Sequence, residues 1–107
     1  MNLKERKELM EVMRESDEFF KKFGKLDDEA FMGNIVPKKC KELTMVAISI
    51  VSLCSECISF HIQESIKAGA NKAEIIEYVK MGMMSRGSIS YPYVRFAFKE
   101  LRDLKLK

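Results

Sequence analysis

One uncharged stretch, residues 43–53 (LTMVAISIVSL), constrains the fold more than any other part of this chain. As a helix it would be apolar on nearly all sides, so other elements must cover it. The segments before and after it repeat apolar residues at helical spacing among many charges, and no segment alternates as a strand would. The pattern predicts an all-α bundle of about six helices around this central one.

Four chemically reactive side chains lie next to the central segment or after it, at fixed spacings. Eleven residues separate Glu42 from Cys54. Two residues lie between Cys54 and Cys57, and three lie between Cys57 and His61, the only histidine of the chain. If residues 55–67 form a helix, Cys57 and His61 share one face as an i,i+4 pair.

This spacing suits redox chemistry of thiols. Cys54 would begin the helix, where unpaired N–H groups and the positive end of the dipole lower the pKa of a thiol. If the chain reverses near Cys54, Glu42 could approach His61 from the preceding helix. We therefore predict a proton relay from carboxylate to imidazole to thiol. A second thiol would resolve the first once it is oxidised.

The pattern Glu-x11-Cys-x2-Cys-x3-His resembles the signature of the alkylhydroperoxidase D branch of the carboxymuconolactone decarboxylase superfamily. The flanking segments KELTMVAISIVSL and HIQESIKAGANKAEIIE resemble that branch too, so that the similarity covers roughly residues 37–85. The resemblance implies one domain over residues 1–107 with an alkylhydroperoxidase-like helical fold. It also implies a homo-oligomer, either a hexamer or a trimer of dimers.

The resemblance further implies a thiol-dependent peroxidase or disulfide oxidoreductase. Cys57 would attack the peroxide or disulfide substrate. Cys54 would donate a proton and then resolve the oxidised Cys57, and Glu42 and His61 would move the proton. An external thiol would supply electrons, and neither metal nor other cofactor would be needed. Glu56 departs from the family, because many members carry histidine between the cysteines; a carboxylate there raises the pKa of neighbouring thiols.

Two other hypotheses fit the same residues. Glu42, Cys54, Cys57 and His61 are suitable ligand types for a tetrahedral zinc site. Three of them would lie on one helix, however, whereas structural zinc sites usually join separate segments. Alternatively, the chain is a non-catalytic oligomeric helical interaction protein in which the cysteines are incidental.

The N-terminal third predicts two helices. Residues 2–23 form an amphipathic pattern that Gly24 would end. Asp27 would then cap a short helix through Met32, ended by Gly33 and Asn34. This short helix could cover the cysteine site.

The remaining helix boundaries have local signals. Pro37 suits the start of a third helix over residues 38–53, and Gly69 the end of the fourth. Asn71 and Glu74 form a variant of the capping box. Gly87 would end the fifth helix and Pro92 begin the last, whose predicted buried residues are Val94, Ala97, Phe98, Leu101 and Leu104.

Composition narrows the function. The net charge of +3 is spread among acidic residues, which argues against nucleic-acid binding. We expect a cytoplasmic protein without membrane contact, because the charged N-terminus lacks the apolar core of a signal peptide and no apolar stretch is long enough to span a bilayer.

Cys40 has no partner at motif spacing. Met83, Met84 and exposed aromatic residues near Tyr91 would provide contacts between subunits.

Overall fold

The computed structural model describes residues 2–33 and 35–106. Within them the chain forms six α-helices and one short 3-10 helix: α1 (Leu3–Ser16), α2 (Glu18–Met32), α3 (Lys38–Val51), α4 (Ser55–Lys67), α5 (Lys72–Arg86), the 3-10 helix (Ser88–Ser90) and α6 (Tyr91–Asp103). No strand occurs in either described range. The predicted all-α fold is therefore confirmed.

Helix α3 lies at the centre of the bundle. It packs along α4 on one side and α5 on another, and α6 closes over α4 and α5. The apolar residues buried between these helices are Leu43, Val46, Ile50, Ile58, Ile62, Ala70, Ile75, Val79, Ala97 and Leu101. The central role predicted for the uncharged stretch is confirmed, although Ile48 remains exposed in the single chain.

Close contact between α3 and α5 depends on Gly82. A Cβ atom at this position would lie 2.7 Å from the carbonyl oxygen of Ala47 and 2.8 Å from the Cβ of Ile50. Both distances are shorter than packed atoms tolerate, and the carbonyl oxygen belongs to a helix backbone that cannot move alone. Gly82 therefore sets how closely the two helices approach.

The N-terminal prediction of one helix over residues 2–23 is wrong. Asp17 adopts an extended conformation that ends α1 and begins α2. Its carboxylate accepts the N–H of Phe19 at 2.8 Å, and its own N–H donates to Met13. The cap satisfies backbone groups that a continuous helix would have paired internally, so α1 and α2 form a helical hairpin.

Gly24 and Asp27 also differ from the prediction, since both lie inside α2 rather than at a boundary. The Arg14 side chain of α1 crosses α2 at Gly24, where a Cβ would lie 3.0 Å from Arg14 Nε. Gly24 therefore lies under the flexible end of Arg14 and does not end a helix. Gly33 does cap α2, and Asn34 lies outside the described residues.

Helix ends with strong local signals are confirmed. Helix α4 spans the predicted residues 55–67, and Gly69 beyond it has the positive φ that suits glycine. Asn71 and Glu74 form the reciprocal capping box of α5. Helix α3 ends at Val51, two residues before the predicted end.

The predicted buried stripe of α6 is correct only at its centre. Ala97 and Leu101 are buried, and Val94 packs against the core. Phe98 is exposed, because the residue after Ala97 points about 100° around the helix from it. Leu104 is exposed as well, since it follows the last helical residue.

A bilayer-spanning helix would have to be longer and more apolar than any that the described residues form.

We expect Gly82→Ala to lower the free energy of unfolding by about 1–3 kcal/mol, the usual cost of overpacking a close contact. Gly24→Ala is the matched control, because the added methyl there meets only the flexible end of Arg14. It should be neutral or stabilising by up to about 1 kcal/mol through helix propensity. Urea unfolding followed by circular dichroism compares the two. Equal destabilisation would show that Gly82 has no special packing role.

Candidate functional site

The cysteine pair lies where α4 begins. Cys54 is the N-cap residue, in an extended conformation, and its sulfur accepts the N–H of Cys57 at 3.2 Å. The two residues form a disulfide across the first turn, with their Cα atoms 5.3 Å apart. Both are partly exposed, and Cys40 in α3 is a free, half-buried thiol. The first turn of α4 thus holds an oxidised Cys-x-x-Cys pair that solvent can reach.

Glu42 and His61 meet between α3 and α4. The carboxylate atom Oε1 of Glu42 lies 3.1 Å from Nδ1 of His61. The chain reverses at residues 52–54, so α4 runs back along α3 and brings the two residues together without a bridging group. The contact between them predicted from the sequence is therefore present.

The carboxylate of Glu42 is almost completely enclosed. Glu42 is 3% exposed, although it is a charged residue at the start of the uncharged central segment. Burial raises the pKa of this carboxyl group above the usual glutamate range, and the hydrogen bond with His61 opposes that rise. A group so perturbed can exchange a proton nearer neutral pH than an ordinary glutamate can.

Two phenylalanine rings hold the imidazole of His61. Phe31 of α2 stacks on it, with ring centroids 6.1 Å apart and planes 20° apart. Phe60 meets it edge to face at 5.0 Å. When Nδ1 carries a proton, it donates to Glu42 and leaves Nε2 free to accept one. The imidazole lies one helical turn beyond Cys57, so the fixed ring is suited to take a proton from a reactant near the cysteines.

A cation from α1 lies beside Glu56, one of the two residues between the cysteines. Arg6 Nε is 3.4 Å from Glu56 Oε1, and the Arg6 guanidinium carbon lies 3.7 Å from the centre of the Phe60 ring. Sequence reasoning missed Arg6, Phe31 and Phe60. It had expected the segment that holds Phe31 to cover the site, but no spacing rule connects α1 with α4.

A cleft of about 720 Å³ separates the N-terminal hairpin from α3 and α4. Glu42 and His61 line it, together with the rings of Phe20, Phe31 and Phe60. The cleft therefore gives small molecules a route to the imidazole.

The zinc hypothesis lacks a ligand set in this arrangement. Both cysteine sulfurs are used in the disulfide. Across residues 2–33 and 35–106, no three His, Cys, Asp or Glu side chains are grouped so that they could hold a metal ion.

Solved structures with the same fold include proteins from two bacteria. The chain is 30% identical to a carboxymuconolactone decarboxylase family protein from Thermotoga maritima for which a role in the antioxidative response has been suggested; the match covers 96% of this chain and 88% of that one, with a TM-score of 0.88. It is 28% identical to the apo form of a family member from Legionella pneumophila, covering 92% and 88%, with a TM-score of 0.81.

Sequence comparisons agree with the structural ones. No curated protein is significantly similar to the chain in sequence. The model of the carboxymuconolactone decarboxylase family, in contrast, matches residues 17–100, which include Glu42, both cysteines of the disulfide and His61. With its helical fold shared as well, the chain belongs to the carboxymuconolactone decarboxylase family.

Proposed function

We propose that this protein is a thiol-dependent peroxidase or thiol–disulfide oxidoreductase of the alkylhydroperoxidase type. The observation that carries the proposal is the contact between Glu42 and His61, one helical turn from a Cys-x-x-Cys disulfide. A buried carboxylate that orients an imidazole is costly to stability and useful for proton transfer. The antioxidative role suggested for the Thermotoga maritima relative supports the same class of chemistry.

The cycle begins with the reduced cysteines. His61 accepts the proton of Cys57 through Nε2, and Glu42 stabilises the resulting imidazolium. The Cys57 thiolate attacks the outer oxygen of a hydroperoxide, and the O–O bond breaks. Cys57 becomes a sulfenic acid, and the remaining oxygen leaves as an alcohol or water after taking up a proton.

Cys54 resolves the sulfenic acid. Its sulfur attacks that of Cys57, the S–O bond breaks, and water leaves. The product is the Cys54–Cys57 disulfide. An external thiol carrier then gives two electrons through thiol–disulfide exchange and restores both thiols. In that exchange Cys54 is a good leaving group, because the Cys57 N–H and the start of α4 stabilise its sulfur.

We propose in addition that the protein forms a homo-oligomer, either a hexamer or a trimer of dimers. Many large apolar side chains of the single chain are exposed, which marks interaction surfaces. On the hairpin they include Val12, Phe19, Phe23 and Leu26, and on the C-terminal helices Met81, Met84, Ile89, Tyr91 and Phe98. Met84 and Tyr91 belong to the region predicted from the sequence to contact another subunit.

Replacing the cysteines separately tests the assigned roles. Cys57→Ser should abolish peroxide reduction supported by a dithiol, because the attacking sulfur is gone. Cys54→Ser should still react once with peroxide and leave a sulfenic acid on Cys57 that dimedone traps for mass spectrometry. Cys40→Ser is the control and should keep its activity. If the Cys54 variant fails to react with peroxide, the two roles are reversed.

Glu42→Gln should lower the peroxidase rate about 10- to 1000-fold, the range of general acid–base catalysis. Because burial raises the pKa of Glu42 in the folded protein, its stabilising contribution is greatest below the ordinary glutamate pKa and is lost as the pH rises through the folded value. The stability of wild type relative to Glu42→Gln should therefore fall as the pH rises above the ordinary glutamate pKa. Chemical unfolding at each pH measures this difference.

Glu77→Gln, on the exposed face of α5, is the control for Glu42→Gln and should change neither quantity. An unchanged peroxidase rate in Glu42→Gln would reduce Glu42 to a structural residue of the α3–α4 contact.

Light scattering at micromolar concentration should give about six times the monomer mass of 12.4 kDa. Phe23→Glu and Met84→Glu each place a charge in one exposed apolar region, and the variant that lowers the mass identifies the region that joins subunits. If the wild-type protein has the mass of a single chain, the proposed homo-oligomer is wrong.

A further inference from the structure

We propose that Arg6 is a positioning residue of the cysteine site. It holds the Glu56 carboxylate and offsets its negative charge. The thiolate fraction of the reduced Cys54–Cys57 pair, and with it the reactivity of the pair, is therefore higher than it would be beside an unpaired Glu56. This inference deepens the proposed function and rests on its assignment of the cysteines as the redox pair.

Glu56 directly precedes Cys57 and lies two residues after Cys54, in the first turn of α4. A carboxylate this close disfavours the thiolate, because it adds a second negative charge to the same small region. The first turn of the helix acts in the opposite direction through its N–H groups. The reactivity of the pair therefore depends on how much of the Glu56 charge the surroundings cancel.

Arg6 is held at Glu56 by two contacts. Its Nε lies 3.4 Å from Oε1 of Glu56, and its guanidinium carbon lies over the Phe60 ring at 3.7 Å. Arginine stays protonated throughout the pH range of the protein, and an aromatic face attracts it electrostatically. An ion pair between partly exposed groups is weak by itself, so the ring of Phe60 adds the hold that keeps the cation there.

Arg6 is the cation that the structure places in contact with Glu56. Side-chain exposure is 27% for Arg6 and 42% for Glu56, so water screens their attraction only in part. The other two titratable groups of the site, Glu42 of α3 and His61 of α4, are hydrogen-bonded to each other. Helix α1 thus contributes the cation that faces Glu56.

The effect should be modest and measurable. One unit charge several ångströms from a thiolate, screened nearly as well as in bulk water, changes the thiolate population about two- to tenfold. Removal of Arg6 should lower the thiolate fraction by this factor, and removal of the Glu56 charge should raise it. Removal of both charges should return the fraction to near the wild-type value.

The experiment measures the reaction of the reduced, full-length protein with iodoacetamide at pH 7. This reagent is uncharged, so that electrostatic attraction of the reagent does not contribute. Mass spectrometry of the peptide that contains Cys54 and Cys57 gives their rate separately from that of Cys40. We expect Arg6→Gln to react about two- to tenfold more slowly and Glu56→Gln to react faster.

Three further variants separate compensation of charge from a structural role. The double variant Arg6→Gln/Glu56→Gln should react within about twofold of wild type, because it lacks both opposing charges. Arg6→Lys should recover part of the rate, since it keeps the cation and loses the planar contact with Phe60. Lys4→Gln removes one charge from an exposed position of α1 and should react as wild type does.

The equilibrium with glutathione provides a second measurement. Loss of Arg6 destabilises the thiolate form of the reduced pair, so at a pH where the thiolate predominates the disulfide should become about two- to tenfold harder to reduce; a tenfold change equals about 30 mV. The proposal is overturned if Arg6→Gln matches wild type, if the double variant stays as slow as Arg6→Gln, or if Lys4→Gln slows equally. Neither measurement uses peroxide, so both remain informative even if the protein does not reduce peroxides.

Discussion

The reversal between α3 and α4 is the constraint on which the site depends. Leu53 turns the chain with a φ of 54°, a left-handed conformation that costs a residue with a side chain about 1–2 kcal/mol. Cys54 follows in an extended conformation, and its N–H donates to the Ser49 carbonyl at 3.1 Å. Helix α4 consequently starts at the cysteine and runs back along α3. The same few residues thus position the disulfide and bring His61 beside Glu42.

Burial of Glu42 has a cost that packing does not explain. A carboxylate removed from water loses solvation, and one imidazole partner restores only part of it. An apolar residue in this position would suit the surrounding core better. The enclosed carboxylate instead keeps His61 in one orientation, between the Phe31 and Phe60 rings. In the proposed cycle, stability is given up at the place where proton transfer needs a fixed imidazole.

The features of this fold that were predicted correctly from the sequence are those set by residues close together in the chain. The Asn71 and Glu74 capping box, Gly69 and the bounds of α4 depend on neighbouring residues alone, and all agree with the structure. The contact of Glu42 with His61 was also foreseeable. Their positions are roughly 18 Å and 10 Å from Cys54 along the helix axes, a difference that two long side chains can bridge. The site residues could therefore be listed from spacing, whereas their aromatic and charged surroundings could not.

The N-terminal hairpin could not be predicted from the sequence, because it contributes almost nothing to the apolar core. Burial in that core is what gives the other helices their regular spacing of apolar residues. Helix α1 buries no residue, and α2 buries only Gly24, among the described residues. Three side chains make polar or aromatic contacts between the hairpin and the bundle: Arg6 with Glu56 and Phe60, Phe31 with His61, and Lys41, which donates to the Ala30 carbonyl at 2.7 Å. Two of the three end on the residues that surround the cysteine pair. Because the core needs none of them to form, the hairpin can change by mutation with little loss of fold. Such changes would act first on the charge beside the disulfide and on the orientation of the imidazole.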